Sequence, residues 1–246
     1  MSGHRTLTAL AMGVREYRRM PVLLALMVAL PAYIIVVFAA LVPDTTVPLA
    51  VPGEGTQMAS MVEVYVAMFT PMVAGLVGAI AGLFLMRATR EADSRLIIAG
   101  YRPREVLVAR TGLLAVVGVF VTAVAVGATF VTPLSVAHFG WFVVATLLGA
   151  LVYGLFGVLA GLVFDRLAGV YVVLFGSMID MFVFQNPMVA DEAAVAPYLP
   201  GHVPLELAID AGFGTVELGS VALGVAYLAV LGVVSLGAFY RSARPE

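Results

Sequence analysis

Six runs of about 20 apolar residues, separated by short polar stretches, constrain this chain more than any other feature. Each run is long enough to cross roughly 30 Å of hydrocarbon as a helix. Inside a bilayer every backbone N–H and C=O must find its partner within the protein, so a run of this kind folds as a helix. The pattern places spans at about residues 22–42, 62–86, 111–132, 141–164, 167–186 and 218–240. The chain has 246 residues, 62% hydrophobic and 11% charged, with a mean hydropathy of +1.07, a balance that suits lipid and not an aqueous core. The expected fold class is an all-α membrane protein, a single transmembrane domain over residues 1–246 with the lipid bilayer as its surroundings.

The polar residues then orient the spans. All 13 basic residues are arginines. Four precede the first span, six lie between residues 87 and 110, and the others are Arg166, Arg241 and Arg244. The opposite loops hold none, whereas Asp44, Glu54, Glu63, Asp191, Glu192, Glu206, Asp210 and Glu217 fall in them or at their edge. The positive-inside rule predicts both termini in the cytoplasm and a multi-pass protein of the cell membrane. Residues 1–20 put Leu7, Leu10, Ala11, Val14 and Tyr17 on one helical face, with the arginines mostly elsewhere, which predicts an interfacial amphipathic helix. The apolar run that follows, 22–42, is longer than the core of a signal peptide and is expected to be retained as a span. Pro31 is expected to kink it. Residues 187–217 form an outer segment whose stretch 204–213, PLELAIDAGF, is expected to lie on or dip into the outer leaflet as a short helix. Only Asp165 and Arg166 separate the fourth span from the fifth, which predicts a tight hairpin.

Several chemistries are excluded by absence. There is no cysteine, so thiolate metal sites, disulfides and cysteine nucleophiles are ruled out. Without lysine the chain has no phosphate-binding loop of the G-x-x-x-x-G-K-[ST] type, so any nucleotide chemistry belongs to another polypeptide. His4, His138 and His202 lie far apart outside the apolar runs and read as surface residues, so no metal site and no catalytic residue is expected. Asp180 is the single ionisable group well inside a span, where a charge costs about 2.5–3.5 kcal/mol on insertion scales. One carboxylate makes no aspartyl dyad, and Ser177 has no histidine in any span to act as its base. Asp180, with Gln185 and Asn186 nearby, reads either as a polar point on a translocation path or subunit interface, or as a hydrogen-bonded structural group.

One internal similarity stands out. GLVGAIAGLFLMR at 75–87 and GLFGVLAGLVFDR at 154–166 agree at seven of 13 positions. Gly75, Gly78, Gly82, Gly154, Gly157 and Gly161 recur at spacings that let helix backbones approach closely, which predicts tight packing within or between subunits. The likeness stops at the flanking spans, which argues against duplication.

The most polar segment, 87–110, reads READSRLIIAGYRPREVLVAR over 90–110. Gly100 is suited to end one helix and Pro103 to open the next, giving helix, tight turn, helix. Such an element exposes a compact apolar knob flanked by charges, suited to a groove on a soluble partner. Candidate docking residues are Arg90, Glu91, Asp93, Arg95, Leu96, Gly100, Tyr101, Arg102, Pro103, Arg104 and Glu105; a plain solvated connector is the alternative. The segment resembles the cytoplasmic coupling segment of type-2 ABC exporter permeases, and the likeness extends over the whole chain. It lies in an acidic residue (Glu91, Asp93) before a Leu-rich helix (Leu96 to Ile98), a turn (Gly100 to Arg102) and a basic-x-Glu-apolar-apolar helix (Arg104 onward). YLPGHVPLELAIDAGF at 198–213 is similar in kind to the family's short outer helices. Asp93-Ser94-Arg95-Leu96 stands where the family commonly has Gly-Thr-Leu-Glu, and Gly100-Tyr101-Arg102 where it has Pro-Val-Ser, so the resemblance fixes no substrate.

What the resemblance implies is the membrane subunit of an ATP-driven exporter, paired with a second permease copy or paralogue. Coupling would be to separate ABC-type ATPase subunits that carry the ATP and Mg. No cofactor on this chain and no nucleic-acid partner is expected. The other readings are a stand-alone secondary transporter or channel, which calls for several midplane polar groups, and an accessory scaffold subunit of a membrane complex.

Overall fold

The computed structural model describes residues 8, 10–15, 19–51, 55–98, 103–189 and 193–242, and of residues 87–98, 103–107 and 239–242 the backbone only. Six helices are long and apolar enough to cross a membrane: Pro21–Leu41, Met61–Met86, Val108–Thr129, Phe139–Val163, Arg166–Phe184 and Leu218–Ala238. They alternate in direction, so one end of the bundle gathers the tight turn at Asp165 and the connection between the second and third spans. We call this the arginine end, and the other the loop end.

The first span, α1 (Pro21–Leu41), opens on a proline at its first turn, where the missing N–H would be unsatisfied in any helix. Its buried residues Leu23, Met27, Pro31 and Ile35 form one stripe at four-residue spacing, and the rest faces outward. Before it, residues 10–15 are helical, with Leu10 and Val14 packed on the bundle and Ala11 exposed; Leu7 and Tyr17 lie outside the described residues.

The all-α expectation fails in the loop after α1. Strands β1 (Thr46–Val51) and β2 (Gly55–Ser60) pair antiparallel, from Thr46 opposite Ser60 to Val51 opposite Gly55. Each strand of a two-stranded sheet has a free edge, and there Pro48 does no harm. Alternation buries Leu49 and Val51 on one face. Gly55 has φ +86°, the left-handed region that a side chain disfavours. Ala50 donates to the Pro187 carbonyl at 3.1 Å, and Gln57 Nε2 to the Phe213 carbonyl at 3.0 Å, tying the hairpin to the segment between the last two spans.

Helix α2 (Met61–Ile98) is the axis of the molecule. An 18-residue window of its membrane part is 94% buried, because the first, third, fourth and fifth spans and the short helix His202–Phe213 all pack on it. A helix apolar on every side has that fate. Beyond Met86 it continues unbroken to Ile98, so the helix expected before the turn at Gly100 is an extension of the span itself. Helix α3 (Pro103–Thr129) begins at a proline; the turn at 99–102, with Gly100, Tyr101 and Arg102, lies outside the described residues.

Helix α4 (Phe139–Val163) turns into α5 (Arg166–Met178) in two residues. Asp165 caps α5 by accepting from Ala168 N at 2.8 Å, satisfying a donor the first turn leaves open. The Arg166 guanidinium stands 5.1 Å from the Phe84 ring centre, a cation–π contact. A 3-10 turn (Ala196–Tyr198) precedes α6 (His202–Phe213), and α7 (Leu218–Ser242) completes the bundle. Helix α6 forms over the stretch expected to be a short outer helix. Val203, Pro204, Leu205 and Leu207 to Gly212 are all buried, because α6 is inserted against α2, α4 and α7. Asp210, on that expected short helix, is only 2% exposed.

Candidate functional site

The polar chemistry of the membrane region collects at the loop end, where α5 changes pitch. After Met178 the helix widens into a π-helical turn, Ile179–Phe184, closed by Gln185 N donating to the Asp180 carbonyl at 3.2 Å. Such turns are uncommon and recur at functional positions. The turn carries Asp180 inward, 6% exposed.

Three donors converge on that carboxylate. The Tyr153 hydroxyl, from α4, donates to Oδ2. Gly201 N donates to the same oxygen at 2.9 Å, and Gln185 Nε2 approaches Oδ1 at 3.4 Å. Gln185 Nε2 also reaches the Ala196 carbonyl at 2.9 Å, while its Oε1 meets His202 Nδ1 at 3.0 Å. His202 Nε2 lies 3.5 Å from Glu206 Oε2, one turn along α6. The cluster thereby joins α4, the π turn, the 3-10 turn and α6. Gly201 is required where it stands, since a Cβ there would meet Met181 Cγ at 2.8 Å and the Tyr153 hydroxyl at 2.9 Å.

Asp180 and Gln185 are thus brought together. Asn186 is turned away and accepts from Met188 N at 3.0 Å within its own loop. Ser177 spends its hydroxyl on the carbonyls of Val173 and Leu174, at 2.7 and 3.2 Å, so it is engaged by its own helix. His202, read from sequence as a surface residue, is part of the cluster with a side chain only 19% exposed. Sequence reasoning missed Tyr153 altogether. It is the tyrosine of an otherwise apolar span, and a hairpin folded at Asp165 places residues equidistant from the turn side by side.

The six repeated glycines lie along the contact between α2 and α4. A Cβ at Gly78 would strike the Ala150 carbonyl, one at Gly82 the Gly154 carbonyl, and one at Gly157 the Ala79 carbonyl. Gly161 faces the Leu83 carbonyl at 3.1 Å, Gly75 faces Tyr153 at 3.0 Å, and Gly154 faces Leu114 at 3.0 Å. The partners advance together along both helices, so α2 and α4 run parallel with their backbones in contact. Of the segment read as a docking element, Arg90, Glu91, Asp93, Arg95 and Leu96 fall on the extension of α2, and Pro103, Arg104 and Glu105 on the first turn of α3. Their side chains lie outside the described residues.

Five apolar spans about one buried central span define a multi-pass membrane protein. Residues 27–241 match the model of a family described as ABC-2 family transporter protein, and the chain belongs to that family. It is a transmembrane subunit of an ABC transporter, a transport component and not itself catalytic. Comparison with curated proteins finds no match.

Proposed function

We propose that this chain forms half of the translocation path of an ATP-driven exporter in the cell membrane, paired with a second permease copy or paralogue and driven by two separate ATPase subunits. Both termini are cytoplasmic in this reading, because in sequence every arginine precedes the first span, follows the last, or lies in the segments that join the second span to the third and the fourth to the fifth. The observation that carries the coupling is the unbroken α2. It extends 12 residues past Met86, roughly 18 Å at 1.5 Å per residue, and its membrane part is the most buried of the six spans. A partner bearing on Glu91, Arg104 and their neighbours therefore bears directly on the centre of the bundle. Closure of the ATPase dimer moves α2 only to the extent that the partner's contact differs between the two states.

The cluster at Asp180 has a positioning role in this reading. It pins α6 and the π turn to α4 at the outer end, so that the outer segment moves with the spans. The alternative, Asp180 as a group that meets cargo, requires a free acceptor position, and Tyr153, Gly201 and Gln185 already surround the carboxylate.

Cross-linking tests the coupling. The chain has no cysteine, so Glu91→Cys and Arg104→Cys each supply a single thiol. In the complex isolated from its native host in mild detergent, both should cross-link to a subunit carrying a P-loop and an ABC signature, with yields that change on adding nucleotide. Isolation without such a subunit, or cross-links insensitive to nucleotide, would overturn the assignment.

A further inference from the structure

The hydrogen bonds of the loop-end cluster run in one direction, and that direction fixes where a proton sits. The Ala196 carbonyl can only accept, so the atom of Gln185 that meets it at 2.9 Å is the amide nitrogen. The same nitrogen turns its other hydrogen toward Asp180 Oδ1, 3.4 Å away. Gln185 Oε1 is left to face His202 Nδ1 at 3.0 Å, and an amide oxygen is an acceptor. The imidazole hydrogen is therefore on Nδ1. In the neutral ring this leaves Nε2 as a lone pair, and it faces Glu206 Oε2 at 3.5 Å. Two acceptors then meet across a gap wider than the about 2.7–2.9 Å of a charge-assisted hydrogen bond. A proton on Nε2 converts that opposition into a donor and an acceptor.

Among the described residues, the charged and titratable groups around the ring come from several elements. Helix α6 supplies Glu206, and its first turn, which His202 opens, opposes a positive charge. The π turn supplies Asp180, near enough to feel the charge of the imidazole. Tyr153 of α4 is spent on Asp180, and Tyr227 of α7 also feels that carboxylate. Glu63 of α2 accepts from Ser135 N at 3.2 Å, β1 has no titratable group, and Tyr198 of the 3-10 turn is exposed. Two carboxylates thus favour a proton on His202 against one partial charge. The side chains of His202 and Glu206 are 19% and 23% exposed, so neither is sealed off.

We propose that His202 is a proton-operated latch on α6. One proton from solution binds the Nε2 lone pair, and no covalent bond is broken. Glu206 then holds the ring in place, while the charged ring donates more strongly from Nδ1 to Gln185. Helix α6 is thereby tied more firmly to the end of the π turn in acid than in neutral solution. The tightening is present while the ring is charged and is lost as pH rises through the range of about 5 to 8 in which histidine changes charge. The inference rests on the reading of the cluster as the pin that holds α6 and the π turn to α4.

Amide hydrogen exchange of the complex in lipid nanodiscs, at about pH 5.5 and about pH 8 and corrected for the intrinsic pH dependence of exchange, reads the latch. Residues 193–213 of the wild type should be ~threefold better protected in acid, with α4 equally protected at both values. His202→Asn keeps a side-chain amide donor in the position of Nδ1–H and cannot be charged, so its protection should not change with pH. Glu206→Gln carries both a donor and an acceptor and serves either form of the ring, so there too the difference should vanish. Equal protection of the wild type at both pH values would overturn the proposal. So would a pH effect that survives in His202→Asn, which would assign it to Asp180, or one that survives in Glu206→Gln. Asp180→Ala separates the two readings. If it leaves residues 193–213 as protected as in the wild type, the cluster is no pin and the underlying reading fails. If it loosens them and the wild type shows no pH effect, the latch alone fails. Should His202→Asn not assemble, Glu206→Gln decides.

Discussion

Helices α2 and α7 have similar length in the membrane, similar hydropathy and a similar supply of glycine, yet an 18-residue window is 94% buried in the first and 11% in the second. What separates them is the setting of their small residues. In α2 the glycines face backbone: a Cβ at Gly78 or Gly82 would strike the carbonyl of Ala150 or Gly154. In α7, Gly219, Gly232 and Gly237 have open space where a Cβ would go. Hydropathy therefore reports that a helix enters the membrane and is silent on whether its neighbour there is protein or lipid. Since lipid tails are as apolar as leucine, burial within the bundle is decided by how closely backbones fit.

Substitutions should break or sharpen this contrast in a graded order. Gly82→Leu should be the most damaging, because backbone on the facing helix has no room to yield. A loss of at least ~3 kcal/mol is expected, seen as aggregated protein on size-exclusion chromatography in detergent. Asp180→Ala should follow at about 2–3 kcal/mol, since it leaves the Tyr153 hydroxyl and Gly201 N–H buried without their acceptor. Faster hydrogen exchange confined to residues 193–213, with α2 and α4 still protected, would locate that loss; uniform loosening of all six spans would contradict the local role. Gly224→Ala, the one α7 glycine set against side chains, Leu148 Cδ2 at 2.5 Å and Val203 Cγ1 at 2.9 Å, should lower stability by ~1 kcal/mol, because flexible termini shift more easily than backbone. Gly237→Ala should change the thermal midpoint least, within about 0.5 kcal/mol, and the gain in helix propensity favours a small increase. If Gly237→Ala proved as harmful as Gly82→Leu, the distinction between the two helices would collapse.

The span positions were legible in the sequence to within a few residues because the bilayer enforces a length and a composition that leave little choice. The pairing of α2 with α4 was half legible. Recurrent glycines announced a close contact, but nothing in one sequence says which surface meets them. The hairpin of β1 and β2 was missed because Pro48 and Pro52 dominate a short segment whose burial depends on Phe213 and Pro187, far away in the chain. Helix α6 was legible as a short helix but not in its contacts: His202, Glu206 and Asp210 look like a polar face, and only the tertiary fold reveals that His202 binds Gln185 and that Asp210 is enclosed. Asp180 was visible as an expensive residue, and its partner Tyr153 was hidden because tyrosine in a span carries no charge to draw notice.

The interlocked carbonyls between α2 and α4 also limit which internal motions the subunit has. Two helices whose backbones mesh at Gly78, Gly82 and Gly157 do not slide past one another, so shear between them is closed as a mode and they travel as one rigid body. The remaining degrees of freedom fall to α1 and α7, whose windows are 22% and 11% buried, since α5 is held to α4 at its start by the Asp165 turn and at its end by Tyr153 and Asp180. Any change of shape in the subunit is expected to be a change in the angles of α1 and α7 to the fixed pair.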